Sequence, residues 1–95
     1  MPAYNPLEES TEEMVVEATH GYHLIVWNDE VNTFEWVIET LMEVCAHEQE
    51  QAEQCAWLIH NRGKYAVKNG SYEQLKPMCD AITDRGIGAT IDSAA

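Results

Sequence analysis

The spacing of apolar residues predicts a strand and then a helix just after residue 20. Tyr22–Trp27 is an apolar run rich in β-branched and aromatic side chains, which is typical of a strand covered by helices. Asn32 and Glu35 have the spacing of a capping box, so we expect a helix to begin near Thr33. Apolar residues then recur at offsets of three and four, which predicts one buried helical face. That face carries Phe34, Val37, Ile38, Leu41 and Cys45.

The next segment predicts a second helix and a second strand. The helix covers about residues 48–62, and Gly63 can adopt the left-handed conformation that ends a helix. Its inner face carries Ala52, Cys55, Ala56 and Ile59. Lys64–Lys68 alternates polar and apolar residues as a half-exposed strand does, and Asn69 with Gly70 predicts the turn that ends it.

The last third of the chain predicts a third helix and a third strand. Ser71 and Gln74 repeat the capping-box spacing, and Pro77 is expected to kink or delay the helix because it removes a backbone donor. Apolar residues continue at helical offsets at Leu75, Met78, Cys79 and Ile82. Gly86 is expected to end the helix, and the β-branched segment Ile87–Ile91 to form a strand. The order β-α-α-β-α-β indicates an α+β fold, a small sheet with helices on one face.

Charge and composition narrow the classes of function. The 95 residues contain 5 Lys and Arg against 17 Asp and Glu, a formal net charge of -12. So acidic a surface repels phosphate backbones and anionic lipids, and we expect binding to neither nucleic acid nor membrane. Residues 1–20 combine prolines with a cluster of glutamates, which predicts a flexible acidic N-terminal tail. Residues 21–95 are long enough for one folded domain.

The cysteines and the apolar runs bear on the cellular compartment. Cys45, Cys55 and Cys79 are odd in number and fall within predicted helices, which favours reduced thiols over a disulfide framework. No apolar run approaches the roughly 18 to 20 residues that span a bilayer, and the N-terminus lacks the pattern of a signal peptide. We therefore expect a soluble, cytoplasmic protein.

The polar segment after the first strand is the leading candidate for a binding site. Asn28, Asp29 and Glu30 follow the strand directly and offer amide and carboxylate oxygens, so the group they bind is expected to be cationic. His60 lies about thirty residues further on, near the end of the second predicted helix. Together these residues predict a small polar site beside an apolar pocket.

The same residues allow other interpretations. The polar segment can be a simple turn, and His60 can complement the dipole at a helix C-terminus. An enzyme could pair His60 with Asp29 or Glu30, but no serine or cysteine is marked as its nucleophile. A metal site could be formed by Cys45, His47, Cys55 and His60. Cys45 and His47, two apart on a predicted helix, would not face one ion, so we expect no metal site. With no marked nucleophile either, we expect no catalysis and no cofactor.

Two motifs at this separation resemble one known family. Leu24–Phe34, with the sequence Leu-Ile-Val-Trp-Asn-Asp-Glu-Val-Asn-Thr-Phe, and Ile59–Lys64 are similar to segments of ClpS, the adaptor of ATP-dependent Clp proteases. The resemblance covers about residues 20–92. It implies a three-stranded antiparallel sheet with three helices on one face, similar to the C-terminal domain of the ribosomal stalk protein.

The resemblance also implies a function and partners. The protein would bind N-degron substrates, whose first residue is Leu, Phe, Tyr or Trp, and deliver them to the N-terminal domain of a Clp-family AAA+ unfoldase and its protease. The alternative is a peptide-binding module of the same fold without specificity for the N-terminal residue.

Finally, the resemblance implies a role for each site residue. The α-amino group would be bound by Asn28, Asp29, Glu30 and His60. The hydrophobic pocket would be formed by Asn32, Phe34, Val37, Ala56, Ile59 and Ile87. Many family members have methionine in place of Phe34 and Ala56. Many also have aspartate in place of Glu30 and threonine in place of Asn32. We expect the smaller Ala56 to favour Phe, Tyr and Trp over Leu as the first residue.

Overall fold

The helices and strands follow the predicted order. The computed structural model describes residues 21–94. Its elements are β1 (Tyr22–Trp27), α1 (Phe34–Cys45), α2 (Gln49–Arg62), β2 (Lys64–Gly70), α3 (Tyr72–Asp84) and β3 (Ala89–Ser93). The order β-α-α-β-α-β is therefore confirmed. The tail predicted at residues 1–20 lies outside the described residues.

The strands form one antiparallel sheet in the order β2-β1-β3. β1 is central, and its register against β2 shifts between Leu24 and Ile25. Leu24 and Val26 are buried and belong to one hydrophobic cluster with residues of all three helices. The buried residues of this cluster are Leu24, Val26, Leu41, Cys45, Ala52, Cys55, Ile59, Val67, Leu75, Ile82 and Ile87. Because this one core unites the sheet with every helix, the helices pack on one face, as predicted.

Side-chain and glycine caps fix the helix ends. The cap of α1 is Thr33, whose hydroxyl accepts a hydrogen bond from the Trp36 backbone N–H at 3.1 Å. The prediction of Asn32 as this cap is wrong, because the Asn32 side chain is engaged elsewhere as a donor. α2 ends at Gly63, which has the predicted left-handed conformation with φ of 90°. Ser71 forms the predicted capping box of α3.

Strand β2 is longer than predicted. Asn69 and Gly70 do not form a turn; they remain in the strand and pair with His23 and Tyr22 of β1. The sheet partner supplies the hydrogen bonds that an isolated Asn-Gly pair would otherwise seek in a turn. Tertiary pairing thus overrides the local turn preference.

The predictions for α3 and β3 also need correction. Pro77 lies inside α3, which already begins at Tyr72, so the proline does not delay the helix, while the expected kink stays a prediction. Leu75 and Ile82, on either side of the proline, are both buried. The third strand begins at Ala89 rather than at Ile87, whose backbone N–H bonds to the Ile82 carbonyl at 3.3 Å and whose side chain enters the core. Of the helices within residues 21–94, none is both long and apolar enough to cross a membrane.

Candidate functional site

Two backbone hydrogen bonds hold the end of β1 against neighbouring elements. The Trp27 N–H donates to the Gly88 carbonyl, and the Asn28 N–H donates to the Gly63 carbonyl, both at 2.9 Å. Gly63 is also the C-cap of α2, the helix that carries His60. The Asn28 bond therefore brings the two sequence motifs to one place in the fold.

A cavity of about 380 Å³ lies where the polar segment after β1, the start of α1 and the last turns of α2 meet. Its lining consists of Asn28, Asp29, Glu30, Asn32, Thr33, Phe34, Val37, Ala56, Ile59 and His60. One part of the lining offers amide, carboxylate, hydroxyl and imidazole groups, and the rest is apolar. No lysine or arginine is among these lining residues, so the carboxylates set the sign of the charge around the cavity.

The apolar wall comes from both α1 and α2. Ala56 and Ile59 are only 2% and 3% exposed, whereas Phe34 is 39% exposed. The Phe34 ring meets the His60 ring edge to face, with centroids 5.7 Å apart and an interplanar angle of 78°. This geometry is favourable for aromatic rings. Phe34 borders the cavity together with His60, the position expected for a pocket residue, and is not buried with the rest of the apolar face of α1.

Asp29 organises the polar segment. Its Oδ1 accepts hydrogen bonds from the backbone N–H groups of Val31 at 2.8 Å and Asn32 at 2.7 Å. Its Oδ2 accepts a third from the side-chain amide of Asn32 at 2.7 Å. The backbone and side-chain bonds from Asn32, followed by that from Val31, hold the pKa of Asp29 below its ordinary value, because they stabilise the carboxylate.

The remaining polar groups at the cavity are available to a ligand. Asn28 and Glu30 make no side-chain hydrogen bond within residues 21–94, and His60 makes only the ring contact with Phe34. Their acceptor atoms can therefore meet donors of a bound molecule without breaking an existing bond.

The cavity gathers every residue of the predicted site except Ile87, which lies in the hydrophobic core at 2% exposure. Thr33 also lines the cavity, although the sequence motifs do not predict it as a site residue. Threonine is a favoured N-cap residue, but the spacing of Asn32 to Glu35 favours Asn32 for that role. The binding roles of the gathered residues stay predictions.

The thiols are poor candidates for nucleophiles. Burial raises the pKa of Cys45 to about 11, and burial also raises the pKa of Cys55 and of Cys79. All three cysteines are free, and at neutral pH they stay protonated.

The argument against a metal site needs correction, because Cys45 ends α1 and His47 lies in the connection to α2 rather than on the same helix. Within the described part of the chain, no three His, Cys, Asp or Glu side chains form a group that could hold a metal ion.

Two curated relatives are similar to this chain, and both are named ATP-dependent Clp protease adapter protein ClpS. The one from Corynebacterium aurimucosum is 27% identical over 70 residues, a match that covers 74% of this chain and 63% of the relative. The one from Corynebacterium diphtheriae is 26% identical over 84 residues, covering 84% of this chain and 74% of the relative. The chain thus spans less than two thirds of the length of the first relative.

The fold is similar to that of a solved structure. ClpS2 of Agrobacterium tumefaciens bound to L-phenylalaninamide matches with a TM-score of 0.75 at 17% identity, covering 79% of this chain and 98% of that one. The family model of the ATP-dependent Clp protease adaptor protein ClpS matches residues 17–90, most of the chain. The chain therefore belongs to the ClpS family of Clp protease adaptors.

Proposed function

We propose that this chain is an adaptor that captures proteins by their free N-terminal residue and delivers them to a Clp protease. One observation carries the proposal: a single cavity combines unpaired acceptor groups with an apolar wall. An N-terminal residue presents the complementary chemistry, an ammonium group with three donors beside one side chain. The family relation supports the same function, as does the phenylalaninamide bound by the structurally similar ClpS2.

The ammonium group would be held by the polar part of the cavity. Asn28 would accept through its side-chain oxygen, Glu30 through its carboxylate and His60 through a ring nitrogen. Asp29 adds negative charge beside them while its oxygens order the segment. Each charge-assisted hydrogen bond is worth about 1.5 to 3 kcal/mol. An acetylated N-terminus loses the charge and two donors, so it should bind much more weakly.

The side chain of the first residue would enter the apolar part of the cavity. Burying a Leu or Phe side chain contributes about 1.5 to 3 kcal/mol, which together with the ammonium bonds makes micromolar affinity reachable after the costs of association. Alanine at position 56 leaves room for Phe, Tyr or Trp, so we expect these to bind better than Leu. Phe34 borders the cavity and should exclude Val and Ile, whose branched Cβ cannot rotate away.

The delivery step would use the N-terminal domain of a Clp-family AAA+ unfoldase. The family is one of adaptor proteins, which supports a role without catalysis. The free cysteines are compatible with the cytoplasmic location expected from the sequence, which is part of the proposal.

Matched peptides test the proposal. Fluorescence anisotropy would compare binding to labelled peptides that differ only in their first residue, which is Leu, Phe, Trp, Val or acetyl-Phe. Phe and Trp should bind most tightly, with Leu weaker, and Val and acetyl-Phe weaker than Phe by roughly tenfold or more. Equal binding of the Phe and acetyl-Phe peptides would instead favour a peptide-binding module without N-terminal specificity.

A further inference from the structure

The side chain of Asn32 links two separate parts of the fold. Its amide group donates one hydrogen bond to Oδ2 of Asp29 at 2.7 Å and another to the carbonyl of Gly86 at 2.9 Å. Both amide hydrogens are therefore used, one within the polar segment after β1 and one on the turn between α3 and β3. Asn32 thus fixes the segment to a distant turn and not only to itself.

The anchor at Gly86 is itself held in place. The N–H of Gly86 donates to the Thr83 carbonyl at 3.0 Å, and the N–H of Ile87 donates to the Ile82 carbonyl at 3.3 Å. Ile87 and Ile82 are both buried in the hydrophobic core. The Gly86 carbonyl is thus held in a fixed position by the core, and the exposed polar segment is hydrogen-bonded to it through Asn32.

The chemistry of the side chain at position 32 matters because two donors are needed. A threonine hydroxyl has one hydrogen and can bond to only one of the two acceptors at a time. An aspartate has the same shape as asparagine but would place a carboxylate against the Asp29 carboxylate and the Gly86 carbonyl. Of these three residues, asparagine alone can make both bonds that the structure shows.

We infer that Asn32 is a positioning residue that holds the polar segment after β1 against the Gly86 carbonyl, so that the acceptors for the ligand's ammonium group are in place before the ligand binds. The inference rests on the proposed function. If the acceptors are already ordered, binding loses less conformational entropy than it would if the ligand had to order an untethered segment. Asn32 therefore affects binding of the ammonium group indirectly, by positioning Asp29 and the polar segment after β1.

The test compares the ratio of affinities for a Phe peptide with a free N-terminus and its acetylated form. Asn32→Ala should lower affinity for the free peptide by roughly fivefold, about the effect of one lost hydrogen bond, with little change for the acetylated one. Asn32→Thr should be intermediate, and Asn32→Asp should bind more weakly than Asn32→Ala because it adds repulsion.

Trp36→Phe is the matched control, because the Trp36 indole N–H donates to the neighbouring Arg85 carbonyl at 3.1 Å without touching Asp29. This variant should keep the wild-type ratio even where it lowers thermal stability. If Asn32→Ala fails to fold, Asn32→Thr carries the test.

Two results would overturn the inference while leaving the proposed function intact. The first is an unchanged ratio in Asn32→Ala and Asn32→Thr. The second is tighter binding by Asn32→Asp, which would mean that added negative charge at this position matters more than the tether. If the wild-type protein itself does not distinguish free from acetylated peptide, the proposed function fails and the inference fails with it.

Discussion

His60 is the residue whose replacement tests the proposed site most directly. In the proposed site, its loss would remove one acceptor for the ammonium group, worth about 1.5 to 3 kcal/mol. It also removes the edge-to-face contact with Phe34, worth about 0.5 to 1.5 kcal/mol at a centroid distance of 5.7 Å, but this contact lies within the protein, so its loss lowers the free energy of unfolding rather than the affinity for the peptide. His60→Ala should therefore weaken binding of a Phe peptide by about 1.5 to 3 kcal/mol, roughly tenfold to a hundredfold.

A second variant separates the two contributions. His60→Phe keeps an aromatic ring beside Phe34 but has no acceptor nitrogen, so it should lose only the ammonium contribution, roughly tenfold to a hundredfold in affinity. Anisotropy titrations with free and acetylated Phe peptides provide the measurement, and thermal unfolding checks that folding is intact, as expected for an exposed residue. Wild-type affinity in His60→Ala for the free peptide would refute the assignment of His60 to the ammonium group.

Three further predictions concern the pocket, a backbone position and a buried histidine. Ala56→Met adds three heavy atoms at a cavity-lining position that is 2% exposed, so it should weaken binding of Trp and Tyr peptides by roughly tenfold while sparing Leu; equal losses for all three peptides would contradict this. Gly63→Ala should lower the free energy of unfolding in urea by about 1 kcal/mol, since φ is 90° and the added Cβ meets no atom within 4 Å, so that only backbone strain is added. Burial lowers the pKa of His47, whose Nε2 donates to the Val67 carbonyl at 3.0 Å and whose buried Nδ1 has no partner among the described residues. Because the unfolded chain then takes up the proton more readily, this histidine lowers stability as pH falls below about 6.5. Relative to His47→Gln, the wild type should therefore lose free energy of unfolding between pH 7 and pH 5. A stability difference that stays constant over this range would count against the prediction.

The elements that the sequence predicts best are those where local and tertiary preferences agree. β1 has the predicted bounds, Tyr22–Trp27, and α2 begins within one residue of its predicted start. At Gly63 the need for a left-handed cap and the end of the apolar pattern coincide. Such agreement leaves few competing structures for the same segment.

The errors occur where a distant partner decides between two local options. Asn32 and Thr33 are both good cap residues, and the capping-box spacing to Glu35 favours Asn32. Thr33 is the cap, because the Asn32 amide donates a hydrogen bond to the Gly86 carbonyl, which lies 54 positions further along the chain. Asn69 and Gly70 likewise stay in β2 because β1 offers them partners. These choices depend on contacts that periodicity and capping signals do not contain.

The joining of the two site motifs follows from the register of the sheet. Trp27 pairs with Lys64, so the first residue of β2 lies beside the last residue of β1. Because only Gly63 separates α2 from β2, the last turn of α2 must lie at that same end of the sheet, beside Asn28. A shift of one residue in this pairing would separate Asn28 from the Gly63 carbonyl and move His60 away from Phe34. It would also turn the side chains of β2 to the opposite face, at the expense of the buried Val67. The packing of the core therefore fixes the position of the histidine relative to the polar segment, and core and cavity are expected to lose their geometry together.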